Sequence, residues 1–122
     1  MRGFAVTVET AYVEAESNQA GHRFYFAYTI TISNHGDNAA RLRNRHWIIT
    51  DGEMVVREVK GAGVVGEQPR IPPGRAFRYT SACLLDTPVG TMHGAYQFET
   101  DTGDTFDVPI PMFTLCVPNA VH

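Results

Sequence analysis

From Phe24 to Ser33 the chain reads Phe-Tyr-Phe-Ala-Tyr-Thr-Ile-Thr-Ile-Ser, an unbroken alternation with a period of two. Successive side chains on a strand point to opposite faces, so Phe24, Phe26, Tyr28, Ile30 and Ile32 share one stripe. Tyr25, Ala27, Thr29, Thr31 and Ser33 form the other. Aromatic and β-branched side chains suit a half-buried pleated surface, and the first stripe is expected to face a core. A helix, with its repeat of 3.6 residues, would scatter the same side chains around its circumference.

The alternation recurs along the chain. Phe4, Val6 and Val8 fall on one face of an N-terminal strand, with a change of phase expected near Thr10. Asn34 to Asn38 reads as a turn, because Asn, Gly and Asp supply left-handed conformations and local side-chain hydrogen bonds. A strand follows from about Arg41 to Thr50, and Asp51-Gly52 marks a hairpin into Met54-Val-Val-Arg57. A second hairpin is placed at Asp101-Thr-Gly103, between Ala95–Glu99 and Thr105–Val108. Pro109 and Pro111 remove ladder donors from the last strand region, Val108 to Val117, which must be an edge strand or switch sheets. No segment carries a convincing amphipathic helix, and no linker or repeat interrupts the pattern.

The expectation is one all-β domain over residues 1–122, an immunoglobulin- or fibronectin type III-like sandwich of seven or eight strands. A chain of 122 residues buries about two-thirds of its unfolded surface, enough for one core. The lone tryptophan, Trp47, falls on a middle strand, where its ring can fill the space between two sheets.

A net charge of −3 offers no basic surplus, so no nucleic acid partner is expected. No apolar run is long enough to span a bilayer, and the N-terminus lacks a signal-peptide hydrophobic region; the expected location is the cytoplasm. Cys83 and Cys116 have neither redox-motif nor zinc-site spacing, and their apolar contexts suit small buried thiols.

The segment Lys60-Gly-Ala-Gly-Val-Val-Gly66 contains a literal G-x-G-x-x-G at Gly61, Gly63 and Gly66. In a dinucleotide-binding fold such glycines bring amides to a pyrophosphate at a helix N-terminus. Here Pro69, Pro72 and Pro73 follow at once, so no helix can run and that fold is excluded. Consecutive glycines can still form an anion nest, and Lys60, Gly61, Gly63, Gly66 and Arg70 are candidates for a phosphate-containing ligand, with Arg57 flanking. The competing reading is a set of tight turns with Val64 and Val65 packing inward.

Arg41, Arg43 and Arg45 alternate, so on a regular strand they project together as a stripe for an acidic partner, with Leu42, Asn44 and His46 opposite. The histidines His22, His35, His46, His93 and His122 have no ligand spacing; His35 and His122 are expected in solvent. Asp101 and Asp104 suit turn chemistry better than magnesium. Ser81 lacks a nucleophile elbow, neither cysteine has an adjacent histidine, and Glu14 and Glu16 share one face if they lie on a strand. No enzymatic centre and no resident cofactor are expected; a transiently bound divalent cation stays open.

Six runs carry a resemblance to a known family. Gly63-Val-Val-Gly-Glu-Gln-Pro-Arg-Ile-Pro-Pro-Gly74 leads into Phe77-Arg-Tyr-Thr-Ser-Ala-Cys83 and then Thr87-Pro-Val-Gly-Thr-Met-His-Gly-Ala-Tyr-Gln97. Phe106-Asp-Val-Pro-Ile-Pro-Met-Phe-Thr-Leu115 follows near the C-terminal end. Together with Tyr28–Asn34 and Trp47–Gly52, these runs resemble the ApaG family over nearly the whole length. The resemblance implies a fibronectin- or immunoglobulin-like sandwich. It also implies a link to cobalt resistance and magnesium homeostasis, the family being labelled a cobalt-magnesium efflux protein, CorD. Similar domains in eukaryotic F-box and polymerase-interacting proteins imply a protein partner. A chain without a membrane span could act on efflux only by modulating a transporter.

Overall fold

The structure, a computed structural model, describes residues 3–118. Eight strands alternate with turns: β1 Phe4–Tyr12, β2 Phe24–Asn34, β3 Ala40–Asp51, β4 Val56–Ala62, β5 Arg70–Ile71, β6 Ala76–Leu85, β7 Val89–Thr100 and β8 Thr105–Cys116. They form two antiparallel sheets, β1-β2-β6 and β4-β3-β7-β8, with β5 added to β3. This is the all-β sandwich that the alternation requires.

β2 is the centre of the smaller sheet, and its even residues are buried without exception. Phe26, Ile30 and Ile32 meet Leu42, Tyr96, Phe98 and Leu115 of the larger sheet in the core. Each such side chain contributes about 1.5–3 kcal/mol on leaving water. Trp47 lies between the sheets, edge-on to Tyr28 at 5.5 Å and to Phe113 at 5.9 Å.

β1 departs from expectation. Its register with β2 runs unbroken from Phe4↔Asn34 to Tyr12↔Phe26, so there is no change of phase at Thr10. Thr10 is simply exposed, and Tyr12 continues the even stripe with its ring 5.4 Å from Phe26. Glu14 and Glu16 lie in a short 3₁₀ turn, not on a strand, so they share no strand face.

Both expected hairpins form. The β3–β4 turn is longer than an Asp-Gly pair alone would close, since Thr50 pairs with Val56. The Asp51 carboxylate accepts from the Glu53 and Val55 amides at 2.9 and 3.0 Å, and Met54 takes a left-handed φ of 65°. β8 is an edge strand, as its prolines demand. Between Met92↔Phe113 and Gly94↔Ile110, Pro111 and Met112 oppose His93 alone, a bulge that spares the ladder a donor at Pro111.

β4 and β5 lie end to end along one edge of β3. Residues 63–69 leave that edge and return to it. Within the excursion Val64 and Glu67 exchange both backbone hydrogen bonds around Val65 and Gly66, which have φ of 44° and 80°. Two positive φ values in succession define the mirror-image hairpin turn. Val64 is buried, whereas Val65 is 54% exposed, so only the first valine packs inward.

The sandwich is asymmetric at its sides. β1 and β8 close one side, where Phe4 packs against Phe98 at 4.7 Å and Phe106 at 5.7 Å. On the other side the edge strands β4 and β6 leave a gap.

Candidate functional site

The gap owes its chemistry to a bulge in β3. Leu42 pairs with Phe98 and Asn44 with Gln97, so Arg43 is an extra residue and the phase reverses beyond it. Before the bulge the even residues Ala40 and Leu42 are buried; after it the odd residues Trp47 and Ile49 are. Arg45 shares their phase, pairs with the buried Tyr96 and turns inward.

The three arginines therefore do not form one stripe. Arg41 and Arg43 stay on the outer side, where Arg41 donates to the Gln68 carbonyl oxygen at 2.7 Å. Arg43 is held by Glu99 at 2.9 Å and by the Gln68 side-chain oxygen at 3.1 Å. Arg45 belongs to the gap. Its Nη1 donates to the carbonyl oxygens of Ala62 and Gly63 at 2.9 and 3.0 Å. The guanidinium lies over Gly61 on the paired strand, where a Cβ would come within 2.9 Å of it.

Arg57 of β4 reaches across the gap to β6. Its Nη2 donates to the Leu84 carbonyl oxygen at 3.2 Å and to Cys83 Sγ at 3.6 Å. Behind these contacts lies a cavity of about 330 Å³, lined on one wall by Arg45, Trp47 and Arg57 and on the other by Tyr28, Ser81 and Cys83. Burial pushes the Tyr28 phenol up, partly offset by its hydrogen bond with Ser81 and by Arg45. Burial likewise raises the Cys83 thiol, with Arg57 acting in the opposite direction. The thiol and phenol are thus neutral at ordinary pH, and the cavity's formal charge comes from its arginines.

A shallower groove of about 580 Å³ lies on the outer face of the larger sheet, with Asn44, His46, Lys60, Gln97 and Asp107 among its residues, and it reaches Arg45 and Gly61 at the rim of the gap. His46 Nε2 and Glu58 Oε1 are 2.5 Å apart, and Lys60 Nζ is 3.7 Å from the same oxygen. The hydrogen bond from His46, followed by the charge of Lys60, holds the Glu58 carboxyl below its usual range.

Three amides of the glycine loop are taken by backbone carbonyl oxygens. The amides of Gly63, Val64 and Glu67 donate to the carbonyl oxygens of Arg43, Glu67 and Val64. Of its expected cationic partners, Lys60 faces Glu58, and Arg70 is bound by both carboxylate oxygens of Asp101 at 3.0 and 2.6 Å. Lys60, Gly61, Gly63, Gly66 and Arg70 thus do not converge as an outward-facing nest. No helix follows Gly66, which leads instead to β5.

Among the described residues no three His, Cys, Asp or Glu side chains gather as a metal site, and no helix is long and apolar enough to cross a membrane. Cys83 and Cys116 are thiols. His35 is exposed, as expected, and His122 lies outside the described residues. Sequence reasoning placed Arg57 only as a flank of the loop and missed its pairing with Ser81, Tyr28 and Cys83 around one cavity. A trace was present: Arg57, Val59 and Gly61 share a phase on β4, and Ser81 interrupts the inward series Tyr79, Cys83, Leu85.

Fold and site together define an antiparallel β-sandwich domain whose sheets part along one side over a basic cavity. The family profile for the ApaG domain matches residues 14–100, from the 3₁₀ turn to the end of β7, and the chain belongs to the ApaG family. It is 58% identical over 111 residues to Protein ApaG of Azoarcus sp. (strain BH72), covering 91% of this chain and 87% of that protein. It is 53% identical over 117 residues to Protein ApaG of Thiobacillus denitrificans, covering 96% and 92%. The crystal structure of the putative ApaA protein from Bordetella pertussis superposes with a TM-score of 0.94 at 46% identity, over 98% of this chain and 97% of that one.

Proposed function

We propose that this protein is a non-enzymatic binding module of the cytoplasm that acts in cobalt and magnesium homeostasis through a protein partner. The observation that carries the partner is the β3–β4 tip, where Met54, Val55 and Val56 are 77%, 60% and 61% exposed. Three consecutive large apolar side chains in water make no contribution to the core, and such runs mark interaction sites. The tip is also held in shape. Asp51 caps it from within, and the Gly52 amide donates to Thr87 Oγ1 at 2.8 Å on the β6–β7 turn. A preorganised apolar tip loses little entropy on binding. The homeostatic role rests on the family resemblance alone.

The test is a Val55→Asp, Val56→Asp variant supplied to cells from which the gene has been deleted. The native chain is expected to restore cobalt tolerance, while the variant keeps its melting temperature, fails to restore tolerance and loses photo-crosslinks formed from position 54. Full restoration by the folded variant refutes the tip as the binding surface. Unchanged tolerance on deletion refutes the cobalt link. The alternative of phosphate or nucleotide binding at Gly61 to Gly66, with Lys60 and Arg70, gains no support from a loop in which the Gly63 amide donates to the Arg43 carbonyl oxygen and Lys60 and Arg70 each face a carboxylate.

A further inference from the structure

We propose that the gap between β4 and β6 binds the phosphoryl group of a small molecule, with Arg45 and Arg57 as its two forks. The proposal is independent of the apolar tip.

Charge comes first. Among the described residues no carboxylate lies within ion-pair distance of Arg45 or Arg57, although Arg43, Lys60, Arg70 and Arg78 all have one. Asp51 and Asp86 line an adjoining cavity of about 160 Å³ that Arg57 also borders, but neither pairs with it. Two guanidinium groups thus face one inter-sheet cavity without a counter-charge, an arrangement that an anion stabilises.

Hydrogen-bonding capacity points the same way. A guanidinium has five N–H donors in a planar fork. Arg45 spends Nη1 on two carbonyl oxygens, and Arg57 spends Nη2 on Leu84 and Cys83. Nε and the second Nη of each have no acceptor among the described residues. Across the cavity stand the Ser81 and Tyr28 hydroxyls. This donor set exceeds what the two oxygens of a carboxylate take up, and it suits the three or more oxygens of a phosphoryl group. A cavity of about 330 Å³ is at the small end of ligand sites, room for a phosphoryl group and a modest organic remainder.

Local structure holds the forks in place. The bulge at Arg43 turns Arg45 inward, and the missing side chain at Gly61 gives its guanidinium a seat. This assigns a role to a glycine of the G-x-G-x-x-G run that involves no loop amide.

The experiment is a titration of the ¹⁵N-labelled protein with inorganic phosphate at constant ionic strength, reading arginine Nε–H and backbone signals. Saturable shifts at Arg45 and Arg57 Nε–H and at the Ser81 and Ala82 amides are expected, with a millimolar Kd. Arg45→Gln and Arg57→Gln are each expected to weaken binding about tenfold or more, as loss of a charge-assisted pair does. Arg78→Gln, which removes a charge paired with Glu9 on the outer face, should leave it unchanged. Gly61→Ala keeps every charge but displaces the Arg45 guanidinium, and is expected to weaken phosphate binding several-fold. A parallel titration with acetate separates ligand classes: acetate binding as tightly as phosphate overturns the phosphoryl assignment. No saturable shift at millimolar phosphate, or equal binding by the folded double glutamine variant, overturns the site itself. If the glutamine variants do not fold, the native titration and Gly61→Ala still decide.

Discussion

Arg57 of β4 donates a hydrogen bond to the Leu84 carbonyl oxygen of β6 at 3.2 Å, and so links the two sheets along the side that β1 and β8 leave open. The same guanidinium touches Cys83 Sγ at 3.6 Å. Arg57→Met keeps most of the stem and removes both contacts. The expected cost, for an exposed donor, is about 1 kcal/mol in urea denaturation. Thiol labelling reads the second contact. In a Cys116→Ser background, Cys83 should react with a midpoint pH above the ordinary thiol value, because burial raises it. Removing Arg57, which opposes that rise, should move the midpoint higher still. An unchanged or lower midpoint contradicts the contact.

Tyr79 and Tyr96 join the sheets at the centre of the core, hydroxyl to hydroxyl, with Tyr96 fully buried. Replacing either by Phe strands the other hydroxyl, at a cost of about 1–3 kcal/mol. The double replacement should cost less than the sum of the singles, a coupling that a double-mutant cycle measures. Simple additivity would mean that the two hydroxyls do not depend on each other.

Burial raises the phenols of Tyr28, Tyr79 and Tyr96 above the value they have in the unfolded chain. Their neutral forms are favoured by folding, so this contribution is complete below about pH 10 and declines as pH rises. A spectrophotometric alkaline titration should show these phenols ionising only together with unfolding. Reversible ionisation with native circular dichroism would contradict their burial.

Gly63 and Gly66 both have positive φ, of 61° and 80°, but their surroundings differ. A Cβ at Gly63 would sit 2.1 Å from the Glu67 carbonyl oxygen, whereas one at Gly66 meets nothing within 4 Å. Gly66→Ala should cost the usual penalty of about 1–2 kcal/mol for a left-handed residue. Gly63→Ala should cost clearly more, since the turn must also open. Equal melting temperatures for the two variants would contradict the close approach at Gly63.

The Asp101 carboxyl is held below its usual range by the hydrogen bonds from Arg70 and by its charge. A depressed carboxyl stabilises the folded state above its unfolded value, near pH 4, and that contribution is lost as pH falls through the lower folded value. Asp101→Asn should therefore narrow the difference in stability between pH 6 and pH 2. An acid unfolding profile identical to that of the native chain would show that this exposed pair is silent.

The core was legible in the sequence because it depends on a local rule. The alternating stripe of β2 and the prolines of β8 fix their own burial and edge position. The gap between β4 and β6 was not legible, because it is a relation between two sheets. Its key residue, Arg45, was misplaced for a definite reason: nothing in Arg-Leu-Arg-Asn-Arg marks Arg43 as the bulge. What selects it is the excursion of residues 63–69, whose Gly63 amide and Gln68 side chain both bind the Arg43 carbonyl oxygen. That demand comes from some twenty residues further along the chain. The β3–β4 tip shows an intermediate case. Asp-Gly located the turn, but the Asp51 side chain set its length by capping two amides at once.

The pairing of β2 with β6 and of β3 with β7 has a consequence for synthesis. The central strand of each sheet is made early, while one of its partners, Ala76–Leu85 or Val89–Thr100, is made late. Pairings so distant in sequence are slow to form, and folding cannot proceed strand by strand behind the ribosome. Until β6 emerges, the nascent chain carries Phe24, Phe26, Tyr28, Ile30 and Ile32 with only β1 beside them. The stripe that specifies the fold is thus also apolar surface left without its second neighbouring strand while the chain is half made.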